Sequence, residues 1–320
     1  MIVINWNHGW CLANCLEALL TQEGPWLEVL VVDNASRDGS ADVVAERFPQ
    51  ARVIRNPENT GFSRAFNQAA RATNAPLLLS LNPDVTVRPG FVEELVQAVC
   101  ADARIGMAAP KLLRAGAPEL LDSTGLFIDC RRRPWDRGQG KPDDGVYDSQ
   151  TAVFGACGGA ALYKREMLED VRIGQEYMDE DFFAYYEDAD LAWRAQSRGW
   201  QAVYAPRAVA THVRGSGDTL RKTGAAVNAD SWGPRMALRN RFLMVLKNDA
   251  LSSFLLDLPV ILAAELARLA YAALTHPSYW LGWVDFLRIA PRAYRKRRQF
   301  NQRRLVTASS LRRRWFFVAR

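Results

Sequence analysis

LLLSLNPDVTV, residues 77–87, begins as a buried strand with Leu77, Leu78, Leu79 and Leu81. It then meets Asn82-Pro83-Asp84 before Val85, Thr86 and Val87. Proline removes a ladder donor and is rare inside a central strand. A carboxylate beside it is costly to bury unpaired. Taken alone, the triplet is a turn, because all three residues favour turns. The chain upstream gives it a second meaning. Apolar runs at 2–4, 28–32 and 51–55 read as strands, and 12–20, 41–48 and 63–73 read as helices between them. This alternation predicts βαβ units around a parallel sheet. Ligands of such sheets bind at the carboxyl ends of the strands. Asn5-Trp6-Asn7, Asp33-Asn34-Ala35-Ser36, residues 56–61 and Asn82-Pro83-Asp84 all follow strands directly. Four polar strand ends on one edge point to a polar ligand.

With 320 residues, 49% of them hydrophobic, the chain can bury a large core. Cys11, Cys15, Cys100, Cys130 and Cys157 are scattered and odd in number, which disfavours a disulfide framework or a structural zinc site. The N-terminus lacks the pattern of a signal peptide. From residue 106 to 163 the pattern loosens, and 131–148 reads as an exposed loop. A helix is expected after Glu187, and a strand over 201–204. Charge is uneven. Residues 286–320 hold 12 Lys/Arg and no acid, whereas the preceding 285 hold 29 bases and 35 acids. A basic segment of this kind suits an anionic partner, either nucleic acid or lipid.

Helices are expected over 235–246 and 253–274. In the second, Asp257, Glu265 and Arg268 fall in one sector, and its charge-free runs are too short to span a bilayer. Aromatics follow at Tyr279, Trp280, Trp283 and Phe286, and then the bases. The combination describes an interfacial membrane anchor. A helix packed on the protein's own domain with a solvated basic end is the other reading.

MIVINWN, VVDNASRDGS, RNPENTGFSRAFNQAA, LLLSLNPDVTVRPG, FFAYYEDADLAWR and THVRGSG occur in that order. The ordered set resembles the family 2 glycosyltransferases, in particular their bacterial rhamnosyltransferase-like branch, over residues 1 to about 215. The resemblance implies an α/β GT-A fold, Rossmann-like, with a mostly parallel sheet and flanking helices. It places a glycosyltransferase domain at 1–230 (a nucleotide-sugar half at 1–105, an acceptor half at 106–230). Amphipathic helices and a basic tail would then occupy 231–320 as a membrane-associating region.

It further implies metal-dependent inverting transfer of a sugar, rhamnose from dTDP-rhamnose for this branch, to a lipid-linked or cell-surface polysaccharide acceptor. Asp33 matches the acid that binds the nucleotide, with Asn5, Asn34 and Ser36 beside it. Asn59, Gly61 and Arg64 would approach the same donor. Asp84 matches the ligand of a divalent cation, Mg²⁺ or Mn²⁺, and His212 a further ligand. Asn82 stands where the first carboxylate of the family's Asp-x-Asp motif would be, and would contact the donor. Asp188 matches the catalytic base. Glu187, Gly158 and Gly159 would border the acceptor. Asp38 and Ser40 read as local helix caps. Arg194 would pair with an acid or reach a phosphate. The implied setting is cytoplasmic, peripheral on the inner membrane's cytoplasmic face, with an anionic lipid surface and no nucleic acid as partner. Two other readings are a sugar-nucleotide pyrophosphorylase and a non-enzymatic protein that binds nucleic acid or membrane through its basic segment. The first lacks the Gly-rich, Arg-containing loop after the first strand, and the second lacks a nucleic-acid motif.

Overall fold

The computed structural model describes residues 1–24, 28–214, 232–275 and 280–316. Its strands are β1 (Ile2–Asn5), β2 (Val29–Asp33), β3 (Ala51–Arg55), β4 (Leu77–Leu81), β5 (Val85–Val87), β6 (Ile105–Arg114), β7 (Ala117–Ser123), β8 (Leu126–Ile128), β9 (Pro134–Asp136), β10 (Ala152–Val153), β11 (Ala160–Lys164) and β12 (Gln201–His212). Ten of them form one sheet with the path β10-β12-β6-β11-β4-β1-β2-β3. From β3 to β4 the pairing is parallel. β11 then runs antiparallel between β4 and β6, so the sheet as a whole is mixed.

Strand periodicity explains the two core layers. Ile2, Ile4, Leu30 and Val32 face one side, where helix α3 (Phe62–Arg71) packs through Ala65, Phe66, Ala69 and Ala70. Val3, Val29 and Val31 face the other, under α1 (Gly9–Leu20) and its Leu12, Cys15, Leu16 and Leu19. Helices α2 (Ser40–Arg47), α4 (Phe91–Cys100) and α5 (Arg165–Val171) complete the cover. Helix α6 (Glu187–Ser197) starts where the sequence places it.

The C-terminal helices are α7 (Trp232–Asn248), α8 (Leu251–Thr275), α9 (Leu281–Asn301) and α10 (Ala308–Trp315). Ala293, Phe300, Leu311, Trp315 and Phe316 belong to the same core as β1 and α3. Lys247 Nζ bonds Asp190 Oδ1 at 2.7 Å and also pairs with Asp179. Lys296 Nζ reaches Asp179 Oδ1 at 2.6 Å. Buried acids of one part are thus neutralised by cations of the other.

Two expectations are corrected. The stretch 131–148 is continuously exposed only over residues 139–146. Arg132 is fully buried, held by Asp249 (2.7 Å) and Asp257 (2.8 Å), and Arg137 is buried among aromatic rings. Trp283 and Phe286 stack on Phe242 instead of forming an aromatic belt; Tyr279 lies outside the described residues. The charges of α8 share one sector, as expected, and that sector faces inward. Asp257 and Glu265 are buried against Arg312 and Arg241, while Leu251, Leu256 and Leu266 are about two-thirds exposed. No helix among the described residues is long and apolar enough to cross a membrane.

Candidate active site

The strand ends form the floor. Asn5 lies beside Asp33 in the β1/β2 register. Asn5 Nδ2 donates to Asp33 Oδ1 (2.8 Å) and to the hydroxyls of Ser36 (3.1 Å) and Ser40 (2.7 Å). The Ser36 N–H donates to Asp33 Oδ2 at 3.0 Å. Both oxygens of this buried carboxylate are therefore held in place. Asn34 donates to the Gly61 carbonyl (3.2 Å) and accepts from Asn56 (2.8 Å) and Thr60 (3.1 Å). Asn59 Oδ1 accepts from the Gly61 N–H at 2.9 Å. One polar network thus joins the ends of β2 and β3 to the start of α3.

One local reading changes, because Gly39, not Ser40, is the N-cap of α2. Asp38 does cap locally, accepting from the N–H (3.1 Å) and the hydroxyl of Ser40, the first residue of α2, and it also accepts from the N–H of Gly9 (2.8 Å), the first residue of α1. Arg64 is half-exposed and bonds Glu180 at 2.9 Å. Arg194 is buried and bonds an acid, Asp190, at 2.9 Å, together with the carbonyls of Val171 and Tyr177.

β4 ends at Leu81, and Asn82 to Val85 form a β-turn closed by a 3.2 Å bond from the Val85 N–H to the Asn82 carbonyl. Pro83 takes the second turn position, where its fixed φ suits. The turn is pinned twice. The Asn82 N–H donates to the Gly159 carbonyl (2.9 Å), and the Val213 N–H donates to the Asp84 carbonyl (3.1 Å). His212, the last residue of β12, pairs across from Val85 and brings Nε2 to 3.3 Å from Asp84 Oδ1. Its Nδ1 is 2.8 Å from Asp122 Oδ2. Asp122 also accepts from Arg214, which reaches on to Asp136. Burial by itself would lower the His212 pKa, but the hydrogen bonds to Asp122 and Asp84 outweigh it and raise it to about 9.

Asp188 opens α6. Its Oδ2 accepts from the Gly158 N–H (2.8 Å) and its Oδ1 from the Ala189 N–H (2.7 Å). The two glycines form the link to His212. A Cβ on Gly158 would sit 3.3 Å from Asp188 Oδ2 and 3.6 Å from Glu187 Oε1, and one on Gly159 would sit 3.0 Å from His212 Cε1. The carboxylate pair and the Asp84–His212 pair therefore flank one small-residue strip. Burial raises the pKa of both Glu187 and Asp188, and the Asp188 charge adds to the effect on Glu187. Glu187 Oε2 is buried with no hydrogen-bond partner among the described residues.

The segment before α6 is strained, with positive φ at Phe183 (63°), Tyr185 (71°) and Tyr186 (71°). Asn240 of α7, fully buried, holds it. Its Nδ2 donates to the carbonyls of Phe182 (2.8 Å), Ala184 (2.7 Å) and Tyr185 (2.8 Å). Gly61 serves the same segment. At φ 82° it lets Phe183 approach so closely that a Cβ would lie 2.6 Å from the ring. The sequence reading missed Asn240, Asp122 and Asp136. Arg214 lies inside the THVRGSG stretch, beside His212, and was open to notice.

The site thus comprises a strand-end carboxylate floor, an Asp–His pair and a carboxylate pair on a helix start. The family model for glycosyl transferase family 2 matches residues 1–172, and the chain belongs to that family as a glycosyltransferase. It is 27% identical over 241 residues to the N-acetylglucosaminyl-diphospho-decaprenol L-rhamnosyltransferase of Mycobacterium tuberculosis, covering 66% of this chain and 75% of that protein. An N-acetylglucosaminyltransferase of Mesorhizobium japonicum is 26% identical over 216 residues (63% of this chain, 48% of that protein). Two solved structures share the fold. TarS 1–349 of S. aureus, in complex with UDP-GlcNAc, has a TM-score of 0.58 at 14% identity and covers 99% of this chain and 92% of its own. The mannosyltransferase PcManGT of Pyrobaculum calidifontis, with GDP-Man and Mn²⁺, has a TM-score of 0.53 at 19% identity, covering 98% and 86%.

Proposed function

We propose that this chain moves a sugar of the rhamnose class from a nucleotide-sugar donor to a lipid-linked saccharide, with inversion at the anomeric carbon. The observation that carries it is the Gly158-Gly159 strip flanked by Glu187 and Asp188 on one side and by His212 and Asp84 on the other. Asp33, with Asn5, Asn34 and Ser36 around it, hydrogen-bonds the nucleotide. Asn59, Gly61 and Asn82 line the donor's path, and Arg64 assists through its charge. Asp188 takes the proton from the acceptor hydroxyl as that oxygen attacks the anomeric carbon and the nucleoside diphosphate leaves. Its raised pKa suits a base working near neutral pH. Glu187, which holds its proton above the usual carboxylate range, donates a hydrogen bond to the acceptor.

The donor set fits a divalent cation. Asp122 fixes Nδ1 of His212, so that Nε2 faces the Asp84 carboxylate. Asp84 and His212 would hold Mg²⁺ or Mn²⁺, which when bound neutralises charge on the leaving diphosphate. Among the described residues no group of three or more ligating side chains converges, so donor phosphates would complete the shell. Asp84→Ala and His212→Ala are each expected to weaken Mn²⁺-dependent donor binding ~10-fold or more. Calorimetry with dTDP-rhamnose, UDP-GlcNAc and GDP-mannose, with and without Mn²⁺, measures this and identifies the donor. Titrations unchanged from wild type in both variants would remove the cation assignment.

Membrane docking belongs to the same reading. The outward side of α8 exposes Leu251, Leu256, Val260, Leu262 and Leu266, an apolar surface, and Leu287 of α9 is exposed as well. That surface seats the enzyme on the cytoplasmic face of an anionic membrane. Leu256→Glu with Leu266→Glu is expected to lower co-sedimentation with phosphatidylglycerol vesicles ~10-fold or more, since two buried leucines contribute several kcal/mol. Undiminished co-sedimentation would place the docking face elsewhere.

A further inference from the structure

A recess of about 340 Å³ opens between α7 and α9, lined by Arg235, Met236, Arg239, Asp285, Arg288 and Ile289. Three guanidinium groups face one carboxylate there. That carboxylate is already engaged, because Arg235 holds Asp285 through Nε (2.6 Å) and Nη2 (2.9 Å). Arg288 reaches Asp285 only at 3.8 Å, and its side chain is 74% exposed. Arg239 is part-buried, and burial lowers its pKa although Asp285 and Asp181 lie near it. A built recess with surplus positive charge takes an anion, and arginine forks match phosphate oxygens.

Two neighbours narrow the anion's class. On α9, Val284 and Leu287 flank Arg288 in the helix and are exposed, while Met236 and Ile289 line the recess itself. The anion is therefore attached to something apolar. On the other side, Arg239 Nη2 donates to the carbonyls of Asp181 (3.0 Å) and Phe182 (2.8 Å), at the head of the segment that leads to Asp188. The anion would lie beside the strand of chain that positions the base.

We propose that this arginine recess holds the diphosphate of the lipid-linked acceptor, registering the sugar it carries against Asp188 while the lipid lies along the exposed apolar face. The assignment rests on the transferase reading above, and its test measures binding without any transfer step. Full-length protein is mixed, in EDTA, with phosphatidylcholine vesicles carrying decaprenyl diphosphate, or with vesicles carrying phosphatidylglycerol at equal surface charge. The wild type is expected to bind the diphosphate vesicles ~10-fold more tightly, and inorganic pyrophosphate to compete. Arg288→Glu, at an exposed position, is expected to abolish that preference, to leave binding to plain phosphatidylcholine unchanged, and Arg288→Lys to restore part of it.

Equal binding of wild type to both charged vesicles would show a general headgroup attraction and overturn the assignment. So would an unaltered preference in Arg288→Glu, checked with Arg235→Ala as a second variant. Absence of sugar transfer from every donor tested would strike the transferase reading and leave these binding results standing.

Discussion

Asp188→Asn is expected to lower sugar transfer by roughly 10²–10⁴-fold while donor affinity changes little. The amide keeps the shape but cannot accept the acceptor's proton. Its single oxygen keeps one of the two N–H bonds that the carboxylate accepts, from Gly158 or Ala189, which holds the side chain near its place. The pH dependence has a fixed sign. A base role for Asp188 requires its ionised form, and burial raises its pKa, so on that proposal kcat/KM in the wild type rises with pH through a step above the ordinary carboxylate range. Glu187 is shifted in the same direction and lies next to it, so the step belongs to the pair. Steady-state transfer across pH, with calorimetric donor binding alongside, checks both points. Turnover retained in Asp188→Asn would assign the base elsewhere.

Asn240→Ala should be the most damaging substitution outside the site. It removes the Asn240 donor from the carbonyls of Ala184 and Tyr185, while the Phe182 carbonyl keeps Arg239, and each bond is worth about 1 kcal/mol net, more when the partner stays buried. A loss of about 2–4 kcal/mol in stability is expected from denaturant titration. The released segment has three residues at positive φ, each costing of order 1–3 kcal/mol, and relaxes toward ordinary backbone. Asp188 then loses its placement, so kcat should fall ~10-fold or more with donor KM nearly constant. Asn240→Asp separates the causes. The carboxylate has the same size but no N–H to donate, so it should fail as alanine does. Activity retained in Asn240→Asp would show that packing, not donation, holds the segment.

Strands β1, β2 and β4 were legible because each is buried on both faces and reads as a largely apolar run that stops at a polar group, whereas β3 is only part-buried and carries two arginines. The start of α6 was legible from its acidic first turn. β12 was not. It reads as ending at residue 204, since Pro206 and Arg207 interrupt it, yet the strand carries them through a register shift between Ala205 and Val209 and continues to His212. The charges of 131–148 read as solvated because the partners that allow burial are far away in sequence, Asp249 and Asp257 for Arg132. Asn240 had no local signal at all. Its three acceptors lie 55–58 residues upstream, and a helical asparagine carries no mark of what it will meet.

The Lys247–Asp190 contact limits which chimeras of this enzyme can work. Asp190 sits in the helix that begins with Glu187 and Asp188, and Lys247 sits in α7. Grafting residues 1–230 onto another protein's C-terminal helices would separate them. Asp190 would keep its ion pair with Arg194, but a buried acid that loses every cation costs about 3–5 kcal/mol. Asp179, shared between Lys247 and Lys296, would be stranded at the same stroke. Hybrids that swap donor specificity should therefore exchange loops within the sheet and keep both ends of the chain from one parent.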